Sequence, residues 1–395
     1  MSSRQYHDLQ PPTRLLLGPG PSNVDPRVLR AMAAPLLGHL DPEFLKIMDE
    51  TKQLLQYAFQ TENYFTLPVS GTGSAGMEAA LCSVIQPGDK VLVGTIGYFG
   101  ARICEIVARC RGQLTRIDAQ WGTPLDQQQL HDALKQGDYR VVALVHAETS
   151  TGVLQPLEEI SRMVHEHNAL FLVDAVTSLG GCPLKVDDWS LDVVYSGTQK
   201  CVGSPPGLAP ITFSARAEQV MNSRESPVQS WYLDMSLVRQ YWGQERFYHH
   251  TAPISMCYAL REALRLLYEE GIETRWCRHE TNYRALAAGL QALGLQLLVS
   301  EPYRLPSLTT VSVPAGIDDA RVRGRLLQDY NIEIGGGLGE LKGRIWRIGL
   351  MGFNSSRTVV LTFLAALAAT LNAESFPACA KEAVQAAERA YSTAA

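Results

Sequence analysis

The chain has 395 residues, 46% of them hydrophobic, enough to bury one large core and a smaller second one. Its formal net charge of -5 and the lack of any long Lys/Arg run argue against nucleic acid or an anionic membrane as the main partner. Eight cysteines, at positions 82, 104, 110, 182, 201, 257, 277 and 379, form no CxxC pair and no dense cluster with histidine, which excludes a zinc ribbon or a disulfide framework and suits a reducing compartment.

Residues 1–14 are polar and contain prolines, as in an arm that orders only against something else. They lack the apolar stretch of a signal peptide, no later segment reads as membrane-spanning, and the final residues, Tyr391 to Ala395, are not a peroxisomal address, so a cytoplasmic protein is expected. Leu15 to Leu17 lead into the rigid turn Gly18-Pro19-Gly20-Pro21, with Ser22 or Asn23 as the cap of a helix carrying Val28 to Met32. Such a turn is either punctuation or a backbone wall for a small ligand. Phe44, Leu45, Met48, Leu55 and Phe59 recur at helical spacing, which predicts a core-facing helix from Pro42 to Phe59.

Next, Leu67 to Val69 reads as a strand, Gly71 to Gly76 as a tight turn and Met77 to Ile85 as a helix. Backbone N–H groups at a helix start, with the hydroxyls of Thr72 and Ser74 nearby, make an anion site that fits a phosphate. The alternative is a loop of small residues that serves packing alone. The turn is neither a Walker loop nor a dinucleotide fingerprint. Val91 to Val93 is a buried strand followed by Thr95 to Gly100 and a helix from Ala101 to Arg111, and between the glycines Phe99, rather than Tyr98, is placed to cover a flat ring. After the strand Val141 to Val145, Thr149 and Ser150 are within reach of a ring hydroxyl or substrate oxygen, while His146 reads as an ordinary strand-end residue. Strands and helices alternating from about 66 to 215 predict a mostly parallel sheet covered on both faces.

Two runs in this region end in chemistry. Phe171 to Val173 leads to Asp174, and Leu191 to Tyr195 leads through Ser196-Gly197-Thr198-Gln199 to Lys200. At the carboxyl ends of neighbouring strands in an open sheet, both groups face one crevice. An acid and an amine so placed are what pyridoxal phosphate (PLP) requires: the lysine bonds the cofactor's aldehyde carbon and the acid keeps the pyridine nitrogen protonated.

Arg224 to Tyr248 is rich in aromatics without a clear helical period, a composition that often buries itself in a partner subunit. The Tyr248-His249-His250-Thr251 loop is then either self-contained or inserted into a neighbour's crevice, and its adjacent histidines are wrongly spaced for a metal, so no metal site is expected. A helix from Ile254 to Tyr268 and a second from Arg275 to Leu293 flank Gly271. Beyond them lie a strand from Leu308 to Val313, a helix from Val322 to Tyr330 and a strand from Ile345 to Gly349 interrupted by Arg347. An arginine inside an apolar strand is either half of a buried ion pair or a fork for a substrate carboxylate. The expected organisation is an arm (1–14), a large domain (15–270) and a small C-terminal domain (271–395).

Taken with LLLGPGPSN, SGTGSAG, HAETSTG, VDAVTSLGG, YSGTQK, YHHT and GGLGELKGRIWRIG, the chain resembles the class V aminotransferases of PLP fold type I over nearly its full length. The resemblance implies a large domain with a mostly parallel seven-stranded sheet and a smaller C-terminal α+β domain. It implies that Lys200 carries PLP, that Asp174 pairs with the pyridine nitrogen, and that Val176 and Phe99 cover the two ring faces. Thr72, Gly73, Ser74 and Gln199 would hold the phosphate, joined by Tyr248 and Thr251 of a second subunit in a homodimer whose arm wraps over its partner. Thr149 would sit beside the ring hydroxyl, and Arg347 would take the substrate carboxylate. The backbone-rich opening itself adds the expectation that Gly18, Pro19 and Gly20 close tightly on a small acceptor. The implied reaction moves an amino group from a small L-amino acid, L-alanine favoured over L-serine or 3-hydroxykynurenine, to glyoxylate. Members of the family often have Trp where this chain has Phe99, and several have His where it has Ser74; both departures bear on the choice of donor. A nucleotide-binding α/β protein using SGTGSAG is the alternative from another class.

Overall fold

The computed structural model describes residues 7–393, so the first six residues of the predicted arm lie outside it. A seven-stranded sheet runs in the spatial order Phe65–Ser70, Leu208–Phe213, Val193–Tyr195, Leu170–Asp174, Val141–Val145, Lys90–Thr95, Gln113–Asp118. Leu208–Phe213 is antiparallel to both its neighbours, and the remaining adjacent pairs are parallel. Val141–Val145 and Leu170–Asp174 are buried at every position, which is why they read as unbroken apolar runs: helices cover both faces of a parallel sheet. The edge strand Gln113–Asp118 is largely exposed, and its Arg116 and Asp118 keep that edge from pairing with another chain. Because the central strands share a direction, their carboxyl ends open onto one crevice, and Asp174, the 146–150 loop and the turn at 96–99 meet there.

A second sheet contains Leu15–Leu17, Ile332–Gly336, Ile345–Gly349 and Leu308–Ser312, in that order. Helices Ile272–Ala292, Asp319–Tyr330 and Arg357–Ala373 contribute to its core around Trp346, Ile348, Phe363 and Leu367. The expectation that residue 15 begins the large domain is corrected here, because Leu15, Leu16 and Leu17 pair in parallel with Ile332, Glu333 and Ile334. A three-residue apolar strand cannot stand alone and covers the open edge of Ile332–Gly336 instead. The Gly-Pro-Gly-Pro turn therefore carries the chain from the small sheet towards Lys200.

Four local differences have plain causes. Asp25, not Ser22 or Asn23, caps helix Pro26–Met32 by accepting from Arg27 N at 2.8 Å; Asn23 Oδ1 accepts instead from Leu16 N. Helix Gly73–Val84 begins within the predicted tight turn, since its glycines are needed for close packing rather than for the turn: a Cβ on Gly76 would lie 2.9 Å from the Ala209 Cβ. The next helix begins at Tyr98, so Phe99 sits in its first turn. Within the aromatic stretch, Met235–Trp242 is a helix capped by Asp234, with Met235, Val238, Tyr241 and Trp242 buried at helical spacing that the surrounding aromatics obscured.

Candidate active site

Asp174 ends its strand 3% exposed, paired in register with Tyr195 of the neighbouring strand. That register brings the Tyr195 hydroxyl to donate to Asp174 Oδ2 at 2.8 Å, while Val176 N donates to Oδ1 at 2.8 Å. Burial pushes the Asp174 carboxyl up to about 6, against the pull of these two bonds and of Lys200. Tyr195 was not among the expected site residues; only the pairing of two strands, which no local motif encodes, puts its hydroxyl here.

Lys200 sits on the turn beyond Val193–Tyr195, 9% exposed. Its Nζ donates to Pro19 O, and Ser22 Oγ donates to Lys200 O at 3.1 Å, so the Gly-Pro turn and the lysine loop are tied together. Burial brings the ammonium down to about 8; Arg347 lowers it further, and Cys201 and Asp174 resist. Gly20 has φ +107° and faces this side chain: an added Cβ would lie 2.6 Å from Lys200 Nζ and 2.6 Å from Cδ. Neither Gly20 nor Arg347 lines the cavity described next; Gly20 packs against the Lys200 side chain.

A cavity of ≈ 180 Å³ opens in front of Lys200, lined by Thr72, Gly73, Ser74, Met77, Phe99, Val145, Ala147, Thr149, Asp174, Val176, Thr177, Gln199 and Lys200. One wall is the start of helix Gly73–Val84, whose first N–H groups have no intrahelical partner. Thr72 occupies the cap position with extended backbone but makes no side-chain capping bond, leaving its hydroxyl free for a ligand. A Cβ on Gly73 would come within 3.1 Å of Val176 Cγ2, so a larger residue there would crowd Val176. Gln199 Oε1 is buried without a hydrogen-bond partner, so nothing in the chain holds that amide in one orientation and its NH2 can turn to donate to an anion.

Arg347 is 7% exposed in the small sheet and reaches across to the 147–150 loop, donating from Nη1 to Thr149 O at 3.2 Å and from Nε to Gly336 O at 2.7 Å. Burial draws its guanidinium down to about 10, opposed by Glu148. It makes no ion pair among the described residues, so the buried-pair reading gives way to a cation beside the cavity. Glu148 is a second group that sequence reasoning passed over: fully buried, and pushed up to about 7 by that burial and by Asp174, against the hydrogen bonds it accepts. Tyr248 and Thr251 are not brought to the cavity of their own chain; both are exposed, with Tyr248 beside His39 at 5.1 Å between ring centroids. His146 is a buried strand-end residue, as expected, and Ser150 turns away to accept from Tyr98 N at 2.9 Å.

A flat ring with an anionic arm fits these residues: an acceptor for a ring N–H at one end, helix N–H groups at the other, apolar Val176 and Phe99 between, and an amine at the side. Sheet, crevice and buried lysine together define a fold type I transferase. The chain belongs to the class V aminotransferases, whose family profile, Aminotransferase class-V, matches residues 15–341, and it is an aminotransferase. It is 42% identical to (S)-ureidoglycine--glyoxylate transaminase of Bacillus subtilis, over 100% of this chain and 99% of that one. Against the alanine--glyoxylate aminotransferase of Callithrix jacchus the identity is 44%, over 88% and 84% of the two chains. Among solved structures, alanine--glyoxylate aminotransferase from Nostoc sp. superposes with a TM-score of 0.92 at 50% identity, covering 93% of this chain and 98% of that one. Ureidoglycine-glyoxylate aminotransferase from Bacillus subtilis superposes with a TM-score of 0.96 at 44% identity, covering 98% and 100%.

Proposed function

We propose that the protein binds PLP at Lys200 and transfers an amino group from a small L-amino acid, L-alanine favoured, to glyoxylate, giving pyruvate and glycine. The observation that carries this reading is the buried Lys200 amine and the buried Asp174 carboxyl lining one cavity, with the Arg347 guanidinium beside it. When bound, the cofactor supplies a ring that absorbs the negative charge left at the donor's Cα. Its phosphate would be held by the first N–H groups of helix Gly73–Val84 with Thr72, Ser74 and Gln199, and its ring nitrogen by Asp174, whose orientation Tyr195 and Val176 N fix.

The chain's own groups then divide the work. Arg347 binds the carboxylate shared by donor and acceptor and so fixes how Cα is presented. Lys200 Nζ is placed to take the proton from the donor's Cα in the first half of the reaction and to deliver one to the Cα of the new glycine in the second; burial keeps a useful fraction of the amine neutral near pH 8. Phe99 and Val176 exclude water from the ring faces. Glyoxylate has no side chain, so the bound acceptor needs no pocket beyond the cavity itself.

A second donor, (S)-ureidoglycine, is favoured by one observation: the Bacillus subtilis relative of that name matches this chain from end to end. Exposed Trp231, Tyr232, Phe247 and Tyr248, at 61%, 43%, 62% and 60%, support a homodimer in which Tyr248 and Thr251 complete the partner's phosphate site. The test is spectroscopic. The PLP-loaded protein receives L-alanine, L-serine, L-3-hydroxykynurenine and (S)-ureidoglycine separately, followed by glyoxylate. Loss of the visible band with one donor and its return with glyoxylate identifies both substrates; bleaching that pyruvate reverses and glyoxylate does not would refute the assigned acceptor.

A further inference from the structure

Glu148 is buried at the back of the site, where the 147–150 loop crosses the start of helix Tyr98–Arg109. Its Oε1 accepts from Ser150 N at 3.0 Å and from Ser150 Oγ at 2.6 Å; its Oε2 accepts from Phe99 N at 3.1 Å and from Gly100 N at 3.4 Å. Tyr98 N in turn donates to Ser150 Oγ at 2.9 Å. One carboxylate thus closes the first turn of the helix that carries Phe99 onto the loop that carries Thr149. Gly97 makes room for it, since a Cβ there would lie 2.4 Å from Ser150 Oγ and 2.5 Å from Glu148 Cγ. The residue between Glu148 and Ser150 is Thr149, which lines the cavity and whose carbonyl accepts from Arg347 Nη1.

We infer that Glu148 is a positioning residue for the reaction: its four accepted hydrogen bonds lock Phe99 against the cavity and, through the Thr149 carbonyl, set where the Arg347 guanidinium stands. The inference rests on the proposed use of the cavity. All four contacts to Glu148 are donors, so the group serves as an acceptor at both oxygens. Glutamine has the same shape but carries an NH2 in place of one oxygen, and that NH2 must face either the two Ser150 donors or the two helix N–H groups. Glu148→Gln therefore opens one side of the clasp without leaving a cavity.

The experiment has two arms. In the unloaded protein, amide hydrogen exchange is followed at residues 97–101 and 147–151 in wild type and E148Q; the clasp predicts exchange about tenfold faster or more in at least one of these segments, with the central strands unchanged. In the PLP-loaded protein, KM for the amino donor and for glyoxylate is expected to rise about tenfold through the displaced Arg347, with a smaller fall in kcat, and the visible circular dichroism of the bound cofactor to change as Phe99 shifts. Unchanged exchange in both segments would refute the clasp. Faster exchange with KM and circular dichroism unchanged would reduce Glu148 to a stabilising cap and overturn its role in positioning. A wild-type protein that forms no visible band with PLP would instead defeat the parent reading, a result seen without the variant.

Discussion

Replacing Gly20 by alanine separates the lysine's position from the stability of the fold. At φ +107° an alanine pays about 1–2 kcal/mol of backbone strain. Its Cβ would stand 2.6 Å from Lys200 Nζ and 2.9 Å from Cε, where ordinary contacts between heavy atoms need about 3.5 Å or more, so the amine must retreat by about 1 Å. That end of the side chain is flexible, and moving it costs little stability; for a reacting group, a misplacement of about 1 Å can cost on the order of 100-fold in rate. Gly20→Ala is thus expected to lower kcat/KM about 100-fold while losing only about 1–2 kcal/mol in denaturant unfolding, well below the loss from emptying a core site. Gly18→Ala is the control, because a Cβ there would meet nothing closer than 3.7 Å. Gly20→Ala with more than about half the wild-type kcat/KM would refute the assigned packing of the turn against the amine.

Arg347→Lys cannot bond both Gly336 O and Thr149 O while presenting a planar fork, so KM for both carboxylate substrates should rise about 10- to 100-fold with folding intact, as initial-rate kinetics would show. Stability should also depend on His279, buried in helix Ile272–Ala292 with its Nδ1 bonded to Arg275 O at 2.8 Å and its Nε2 accepting from Gly352 N at 3.0 Å. Protonation would point a second ring N–H at the Gly352 N–H, and burial, aided by Arg278 and Arg275, pushes the imidazole down to about 3. A depressed base gives its full stability above about pH 6.5 and loses it as the pH falls towards 3, which amounts to about 2 kcal/mol by pH 5. Asp174, raised by burial, acts in the opposite sense as the pH falls through 6, so the comparison is between wild type and His279→Gln in urea at pH 7 and pH 5. The variant should lose less stability between the two; equal losses would contradict the assignment.

Much of this was legible in the sequence because parallel strands buried on both faces read as apolar runs, and the residues that follow them fall in one crevice. Lys200, Asp174, Thr72, Phe99 and Thr149 stand out in that way and Gln199 through the family resemblance, and all six line one cavity. What could not be read depended on pairings between distant segments. Tyr195 meets Asp174 only because two strands align in register. Leu15–Leu17 looked like the entry to the large domain until Ile332–Gly336 supplied its partner. Glu148 sat inside a quoted motif, but its importance comes from a helix start formed by residues 98–100. That Gly20 packs against the Lys200 side chain follows from the path of the turn between the two sheets, which no local motif encodes.

The central claim is that Lys200 bonds the cofactor, and borohydride trapping followed by peptide mass spectrometry tests it most directly. After incubation with PLP and reduction, the account predicts one pyridoxyl group on the peptide containing Lys200 and none when Lys200→Ala is treated alike. A pyridoxyl group on another lysine, or no adduct under conditions that leave the protein folded, would contradict it.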